Sequence, residues 1–304
     1  PAGQVRARCN TTVETKEFFM ATFGRDDKDD IATAQSIDFG NGTHNMVFAQ
    51  KTPNTTGVIA GQGLSFGTGA DNLTVSLAAD NQVGVGESSY IDLGNGTNSL
   101  AINGDASKSG TYGLKGGTTA GTATMVLGGS GVDKVTIAGV ASGVDGALLD
   151  LGAGNNVVNI SAKVAALTNG ATIKAGSGSD NVTLTGSIDG STVDLGDGVN
   201  SVVVNGKVTN ATFTSGSGAD NYTITGDVSG GSLDAGAGNN AITIKGEVKS
   251  GFSLRTGNGA DKIVISGTVQ DSSINTGDGN DSRTLSKLIG RPTTTLAESV
   301  KSIL

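Results

Sequence analysis

The chain has 304 residues, of which 50 are Gly and none is Trp, and only 4% are aromatic. So few large side chains cannot fill an ordinary globular core, and so much Gly excludes a mainly helical protein. The net charge of −8 argues against a nucleic acid as partner, because phosphate contacts need clustered Lys and Arg.

The N-terminal segment, residues 1–36, precedes every repeat in the chain. The single Cys9 lies there, and one Cys cannot form an internal disulfide. We expect the segment to cap or dock the repeat array that follows, because exposed strands at the end of such an array pair with other molecules.

A Gly-x-Gly turn recurs throughout residues 37–282. Its first glycine falls at Gly40, Gly67, Gly94, Gly129, Gly152, Gly176, Gly196, Gly216, Gly236, Gly257 and Gly277. The later copies are 20 or 21 residues apart and the earlier ones 23 to 35 apart, so the N-terminal repeats carry insertions. A period in this range is typical of a solenoid.

Apolar residues occur at fixed places in each repeat. With the first glycine as position zero, they fall at −3, +6, +8 and +12, as in Val193, Val202, Val204 and Val208. Alternation at period two predicts short strands. We therefore predict an all-β fold, a parallel β-solenoid (β-helix) of about eleven coils of roughly 20 residues, with a triangular cross-section.

Charged residues divide the coils into two alternating types. Position +4 reads Asn156, Asp180, Asn200, Asp220, Asn240, Asp261, and position −2 reads Asp150, Lys174, Asp194, Thr214, Asp234, Arg255. An Asp in every coil would stack carboxylates about 4.8 Å apart, whereas an Asn amide can donate to its neighbours. The pattern predicts a two-coil repeat unit and a structural polar ladder that requires no metal.

The turns also resemble those of a known family. Residues Gly128 to Thr136 read Gly-Gly-Ser-Gly-Val-Asp-Lys-Val-Thr, which is similar to the calcium-binding nonapeptide of hemolysin-type (repeats-in-toxin) proteins. The resemblance implies secretion by bacteria and Ca²⁺ at a few turns. The candidate ligands are Asp133, Asp180, Asp220, Asp261 and Asp281.

Two departures from that family limit the implied calcium content. The family places two such turns in about 18 residues, so that turns face each other across each ion, whereas this chain has one turn per coil. Asn replaces Asp in alternate coils, and Ca²⁺ prefers six to eight oxygen ligands. Asp261 and Asp281 break the alternation and form the best candidate pair.

Catalytic residues are scarce. His44 is the only His and occupies position +4 of the first coil, where we interpret it as a turn residue. One His and one distant Cys cannot assemble a triad or a zinc site. The acids follow the repeat instead of forming a separate cluster, and we expect that the protein is not an enzyme.

The C-terminal segment, residues 283–304, follows the last Gly-x-Gly turn. It contains Leu285, Leu288, Ile289 and Pro292, and then a stretch from Leu296 to Leu304 of helical character. We expect a tail that ends in a helical cap.

The leading hypothesis is an extracellular structural or adhesive protein of the cell surface: a surface-layer component, adhesin stalk or filament subunit. The alternative is a calcium-dependent hemolysin-type binding module that folds on export, and the third is a carbohydrate-active β-helix enzyme. We expect self-association through the ends or sides of the solenoid, and glycans of the cell surface or matrix as partners. The sequence contains no apolar run of 18 or more residues, so we expect no transmembrane segment.

Overall fold

The computed structural model describes residues 19–24, 36–50, 53–54, 56–58, 61–117, 123–290 and 293–295. Every regular element in these ranges is a β-strand, and the strands pair in parallel. They form a parallel β-solenoid of about ten turns with a mean spacing of about 23 residues. The predicted fold class is confirmed, and the insertions in the N-terminal coils account for the longer mean spacing.

The strands are, in chain order, β1 (Phe19–Gly24), β2 (Ser36–Asp38), β3 (His44–Gln50), β4 (Thr56–Val58), β5 (Gly63–Ser65), β6 (Thr68–Gly69), β7 (Asn72–Leu77), β8 (Val83–Val85), β9 (Tyr90–Asp92), β10 (Asn95–Asn103), β11 (Tyr112–Lys115), β12 (Met125–Leu127), β13 (Gly131–Asp145), β14 (Leu148–Asp150), β15 (Val157–Thr168), β16 (Thr172–Lys174), β17 (Asn181–Asp189), β18 (Thr192–Asp194), β19 (Ser201–Asn205), β20 (Val208–Thr209), β21 (Thr212–Thr214), β22 (Asn221–Ile224), β23 (Val228–Ser229), β24 (Ser232–Asp234), β25 (Ala241–Ile244), β26 (Val248–Lys249), β27 (Ser253–Arg255), β28 (Lys262–Gln270), β29 (Ser273–Asn275), β30 (Ser282–Ile289) and β31 (Thr293–Thr295).

These strands form two sheets that run the length of the rod. One has twelve short strands, in the order β2-β5-β9-β12-β14-β16-β18-β21-β24-β27-β29-β31. The other has 19 strands and covers the remaining two sides, because each coil crosses it either as one long strand such as β17 or as a pair such as β19 and β20. This arrangement fits the predicted triangular coil.

The register places equivalent repeat positions directly above one another. Ile173 pairs with Val193, and Val193 pairs with Phe213. Because side chains alternate between the two faces of a strand, one column of each strand points inward along the whole stack. The apolar positions predicted from the sequence therefore form continuous ladders inside the rod.

The core consists of these ladders. Val182, Leu184 and Ile188 of one coil, at positions +6, +8 and +12, are all fully buried. Tyr222 occupies the +6 column and is also buried, and its hydroxyl contacts the hydroxyl of Ser215. Burying a side chain of this size contributes roughly 1.5–3 kcal/mol, so stacking stabilises coils that could not fold alone.

Glycine at the +10 bend is required by close packing of the backbone. A Cβ atom on Gly226 would lie 2.2 Å from the carbonyl oxygen of Gly206 in the preceding coil. The same bend recurs at Gly246, where the added atom would lie 2.3 Å from the oxygen of Gly226. Any larger residue would push two coils apart, since real contacts are never this short.

The sheets continue past both boundaries predicted for the solenoid. β1 pairs with β3, and β30 pairs with β28, so part of each predicted terminal segment adds strands to the stack. Residues 283–289 are therefore extended, and β31 pairs with β29 beyond them. The predicted helix at 296–304 and Cys9 lie outside the described residues.

Candidate functional site

The most regular polar feature is the column at position +4, which we call the +4 ladder. Its members are His44, Asp71, Asn98, Asp133, Asn156, Asp180, Asn200, Asp220, Asn240, Asp261 and Asp281. All members from Asp71 to Asp261 are at most 2% exposed. Buried polar side chains at this density need partners, because an unpaired buried polar group costs about 1–3 kcal/mol.

The first oxygen of each Asp and Asn in the ladder binds the preceding coil. The backbone N–H of Asn156 donates to Oδ1 of Asp180 at 2.7 Å, and the N–H of Asp180 donates to Oδ1 of Asn200 at 3.0 Å. The same bond continues from Asn200 to Asp220 at 2.8 Å. These bonds tie successive turns together at the point where the backbone leaves the strand ladder.

The side-chain nitrogen, Nδ2, of each Asn donates to carbonyl oxygens in the turn of its own coil. Nδ2 of Asn240 donates to the carbonyl oxygens of Gly236 at 3.3 Å and Gly238 at 3.1 Å, and to that of Thr256 in the next coil at 3.1 Å. Asn200 makes the same two bonds within its turn. The Asn coils therefore use every polar atom of the side chain.

The second oxygen of each Asp has no hydrogen-bond partner. This holds for the buried Oδ2 atoms of Asp71, Asp133, Asp180, Asp220, Asp261 and Asp281. Equivalent stacking puts each Oδ2 where an Asn of the ladder would place Nδ2. A proton on the carboxyl group or a cation beside it would satisfy this oxygen.

Burial changes the acidity of these carboxyl groups. It raises the pKa of Asp133 and of Asp180 to about 6, against partly compensating hydrogen bonds from Asn98 and Asn156. Burial likewise raises the pKa of Asp220 and of Asp261. For Asp133 and Asp180 the neutral acid is thus accessible near pH 6, and a neutral carboxyl group can donate a hydrogen bond as the Asn amide does.

His44 is the first member of the ladder and makes the hydrogen bonds to the next Asp that Asn98 makes in its own coil. Its backbone N–H donates to Oδ1 of Asp71 at 2.9 Å, and its Nδ1 lies 2.7 Å from the same oxygen. The Nδ2 atom of Asn98 makes the corresponding bond to Oδ1 of Asp133 at 2.9 Å. Phe39 and Phe66 flank the imidazole, with ring centroids 5.8 and 6.0 Å away.

The alternation fails at the C-terminal end of the ladder. The N–H of Asp261 donates to Oδ1 of Asp281 at 2.9 Å, so two carboxyl groups follow each other with no Asn between them. In the same coil Arg283 replaces the aliphatic residue of the core column and pairs in register with Ile263. Nη1 of Arg283 and Oγ1 of Thr276 are also buried without a partner.

The −2 column lies on the outer face of the twelve-stranded sheet and has a local role. Oδ1 of Asp150 accepts the N–H of Gly152 at 3.2 Å, and Oδ1 of Asp234 accepts that of Gly236 at 3.1 Å. Nε of Arg255 lies 3.8 Å from Oδ2 of Asp234. The side chain of Asp234 is about half exposed and that of Arg255 more so, so this ion pair stabilises the fold weakly.

The structure brings all five candidate calcium ligands into one column, as their repeat positions predict. Consecutive members from Asp133 to Asp261 are separated by an Asn, and only Asp261 and Asp281 are neighbours. In the described part of the chain, no group of three or more His, Cys, Asp or Glu residues could hold a metal ion. Asp71 was missed as a ladder carboxylate, although its place four residues after Gly67 follows the same rule.

Comparisons with protein-family models, with curated proteins and with solved structures gave no match. The resemblance to hemolysin-type turns thus rests on the motif itself. Within the described ranges, no helix is long and apolar enough to cross a membrane.

Proposed function

We propose that the protein is a non-catalytic structural rod of the extracellular surface, serving as a surface-layer component, adhesin stalk or filament subunit. The observation that carries this proposal is the uninterrupted stack, in which apolar columns and the +4 ladder continue from coil to coil. The candidate polar groups are used to hold the coils together. No cofactor is needed for that role.

The mechanism follows from the direction of the hydrogen bonds. In a solenoid the backbone bonds run between coils, parallel to the rod axis, so they carry tension applied along it. With coils about 4.8 Å apart, about ten turns make a rod on the order of 50 Å long. The net charge of −8 favours solubility of such a rod at a wet surface.

Surface exposure is tested by treating intact source cells with an external protease or a membrane-impermeant biotin reagent. The proposal predicts that the protein is labelled or cleaved while a cytosolic marker is untouched. Protection of the protein until the cells are lysed would contradict an extracellular role.

A second candidate function is a calcium-dependent binding module of the hemolysin type. The unpartnered Oδ2 atoms favour it, because a cation beside the turn carbonyls would satisfy them as well as a proton. Asp261 and Asp281 are the natural site, since they supply two carboxylates in adjacent coils. Calorimetric titration of the chelator-treated protein with Ca²⁺ tests this, with Asp281→Asn as the variant expected to weaken binding.

A further inference from the structure

A groove of about 520 Å³ crosses the Gly-x-Gly turns of the N-terminal coils. It spans the turns of five successive coils, from Asn41 to Gly152. One wall comes from position +1, just after the first glycine, and the other from position −2, just before it. Backbone glycines form the floor, which leaves room between the walls.

The +1 wall presents hydrogen-bond donors. Oδ1 of Asn41 accepts the N–H and hydroxyl of Thr68 at 3.0 and 3.1 Å. Oδ1 of Asn95 likewise accepts the N–H and hydroxyl of Ser130 at 3.0 and 2.7 Å. These bonds fix both amide planes and leave the exposed Nδ2 groups as donors to the groove.

The −2 wall presents acceptors and one apolar side chain. Asp92 and Asp150 line it, and Leu127 pairs in register between them. The N–H of Gly94 donates to Oδ1 of Asp92 at 2.9 Å, and the hydroxyl of Tyr90 donates to Oδ2 of the same residue at 3.1 Å. The acceptors are therefore positioned before any ligand arrives.

We propose that this groove binds an extended, neutral, β-linked glycan chain, which would make it an adhesive site of the extracellular rod proposed above. A sugar hydroxyl both donates and accepts, so it matches a groove with amide donors on one wall and carboxylate acceptors on the other. The C–H face of a pyranose ring fits Leu127. The ring is about as long as the spacing between coils, so successive sugars meet equivalent positions.

Two other ligand classes fit less well. A basic peptide would use the carboxylates but leave the amide donors of Asn41 and Asn95 without acceptors. An acidic polysaccharide would meet Asp92 and Asp150, and no Lys or Arg is among the described residues that line the groove. Charge complementarity therefore disfavours the acidic ligand, and hydrogen-bond matching disfavours the basic one.

The test is calorimetric titration of the full chain with cellohexaose and with hexa-N-acetylchitohexaose, beside hexalysine and oligogalacturonate as probes of the other classes. The proposal predicts binding of at least one neutral hexasaccharide that is insensitive to salt. Failure of both neutral hexasaccharides to bind would overturn it. Salt-sensitive binding of hexalysine alone would also overturn it and would assign the groove to a basic peptide.

A matched pair of variants locates the binding. Asp150→Asn keeps the oxygen that accepts the N–H of Gly152 and removes only the carboxylate, and we expect about tenfold weaker binding, the loss of about 1.4 kcal/mol. Asp194→Asn makes the same change at the same repeat position outside the groove and should leave binding unchanged. Equal effects of the two variants would contradict the proposed site. Because surface labelling is measured separately, failure here leaves the extracellular role intact.

Discussion

At the scale of single residues, the +4 ladder assigns opposite hydrogen-bonding needs to Asp and Asn. Asn200 satisfies both of its side-chain groups, whereas Asp180 leaves Oδ2 buried and unpaired. Asp180→Asn should therefore raise the free energy of unfolding by about 1–3 kcal/mol at pH 7.5 in chelator. Urea denaturation measures this change. The control Asp194→Asn, at a partly exposed position of the −2 column, should stay within about 0.5 kcal/mol. A loss of stability in Asp180→Asn would contradict the assignment.

The same residues predict how stability depends on pH. The folded pKa of Asp133 and of Asp180 is about 6, above the unfolded value of 3.8. A raised pKa means that the folded state binds more protons between these values, so the contribution is complete below about pH 4 and is lost as the pH rises through 6. Each unit of raised pKa corresponds to about 1.4 kcal/mol.

Surface carboxyl groups affect the pH dependence of stability in the opposite direction, but more weakly. Hydrogen bonds from Ser109, Ser107 and Ser217 lower the pKa of Asp80, Asp105 and Asp197 respectively, and these carboxyl groups are solvated. Their contribution is present above about pH 4 and lost below it. We expect the melting temperature in chelator to fall between pH 4.5 and about 7.5, and to fall less in Asp180→Asn. A melting temperature that rises over this range would contradict the prediction.

How far the sequence predicts single residues depends on whether they follow the repeat. The +4 and −2 columns and the inward positions of Val182 and Leu184 follow from spacing alone. The hydrogen bond from a backbone N–H of one coil to a +4 side chain of the next does not follow from spacing, because strand periodicity does not specify where a turn N–H points. Its spacing predicts that His44 is a turn residue, but the pairing of His44 with Asp71 depends on a 27-residue coil that contains an insertion.

At the scale of the coil, glycines serve two purposes that substitution can separate. Gly226→Ala should be severely destabilising, by more than about 3 kcal/mol, because the added Cβ would meet the Gly206 oxygen at 2.2 Å. Gly190 has φ +56 and open space around the added atom, so Gly190→Ala should cost only about 1–2 kcal/mol for the left-handed conformation. Equal losses in thermal denaturation would contradict this distinction.

The two-coil unit makes a sharper prediction about deletions. Removing residues 197–216 places Asp180 next to Asp220, whereas removing residues 197–236 places Asp180 next to Asn240 and keeps the alternation. A longer stack is normally the more stable one. We nevertheless expect the variant that lacks two coils, although its stack is shorter, to have the higher melting temperature at pH 7.5. We expect the order of the two variants to reverse near pH 4.5, where neutral carboxyl groups no longer repel each other. The same order at both pH values would contradict the role of the ladder.

At the scale of the whole molecule, the repeat predicted the class of fold but not its ends. Period, alternation and Gly-rich turns agree on a parallel solenoid, which is why the fold could be inferred without any matching protein. The ends have no repeat to constrain them, and part of the predicted tail, residues 283–289, adds a strand instead. Asp281 follows another Asp in the +4 ladder, and Arg283 stands in the core column, so both interrupt the pattern in this coil.

The central claim is that the Asp/Asn ladder holds the rod together without a metal. Circular dichroism with thermal melting tests it most directly, first in excess chelator and then in about 10 mM Ca²⁺, a concentration that saturates weak extracellular sites. The account predicts the same β-sheet spectrum and the same melting temperature in both solutions. A chain that is unfolded in chelator and folds when Ca²⁺ is added would contradict it and make the calcium-dependent module the better description.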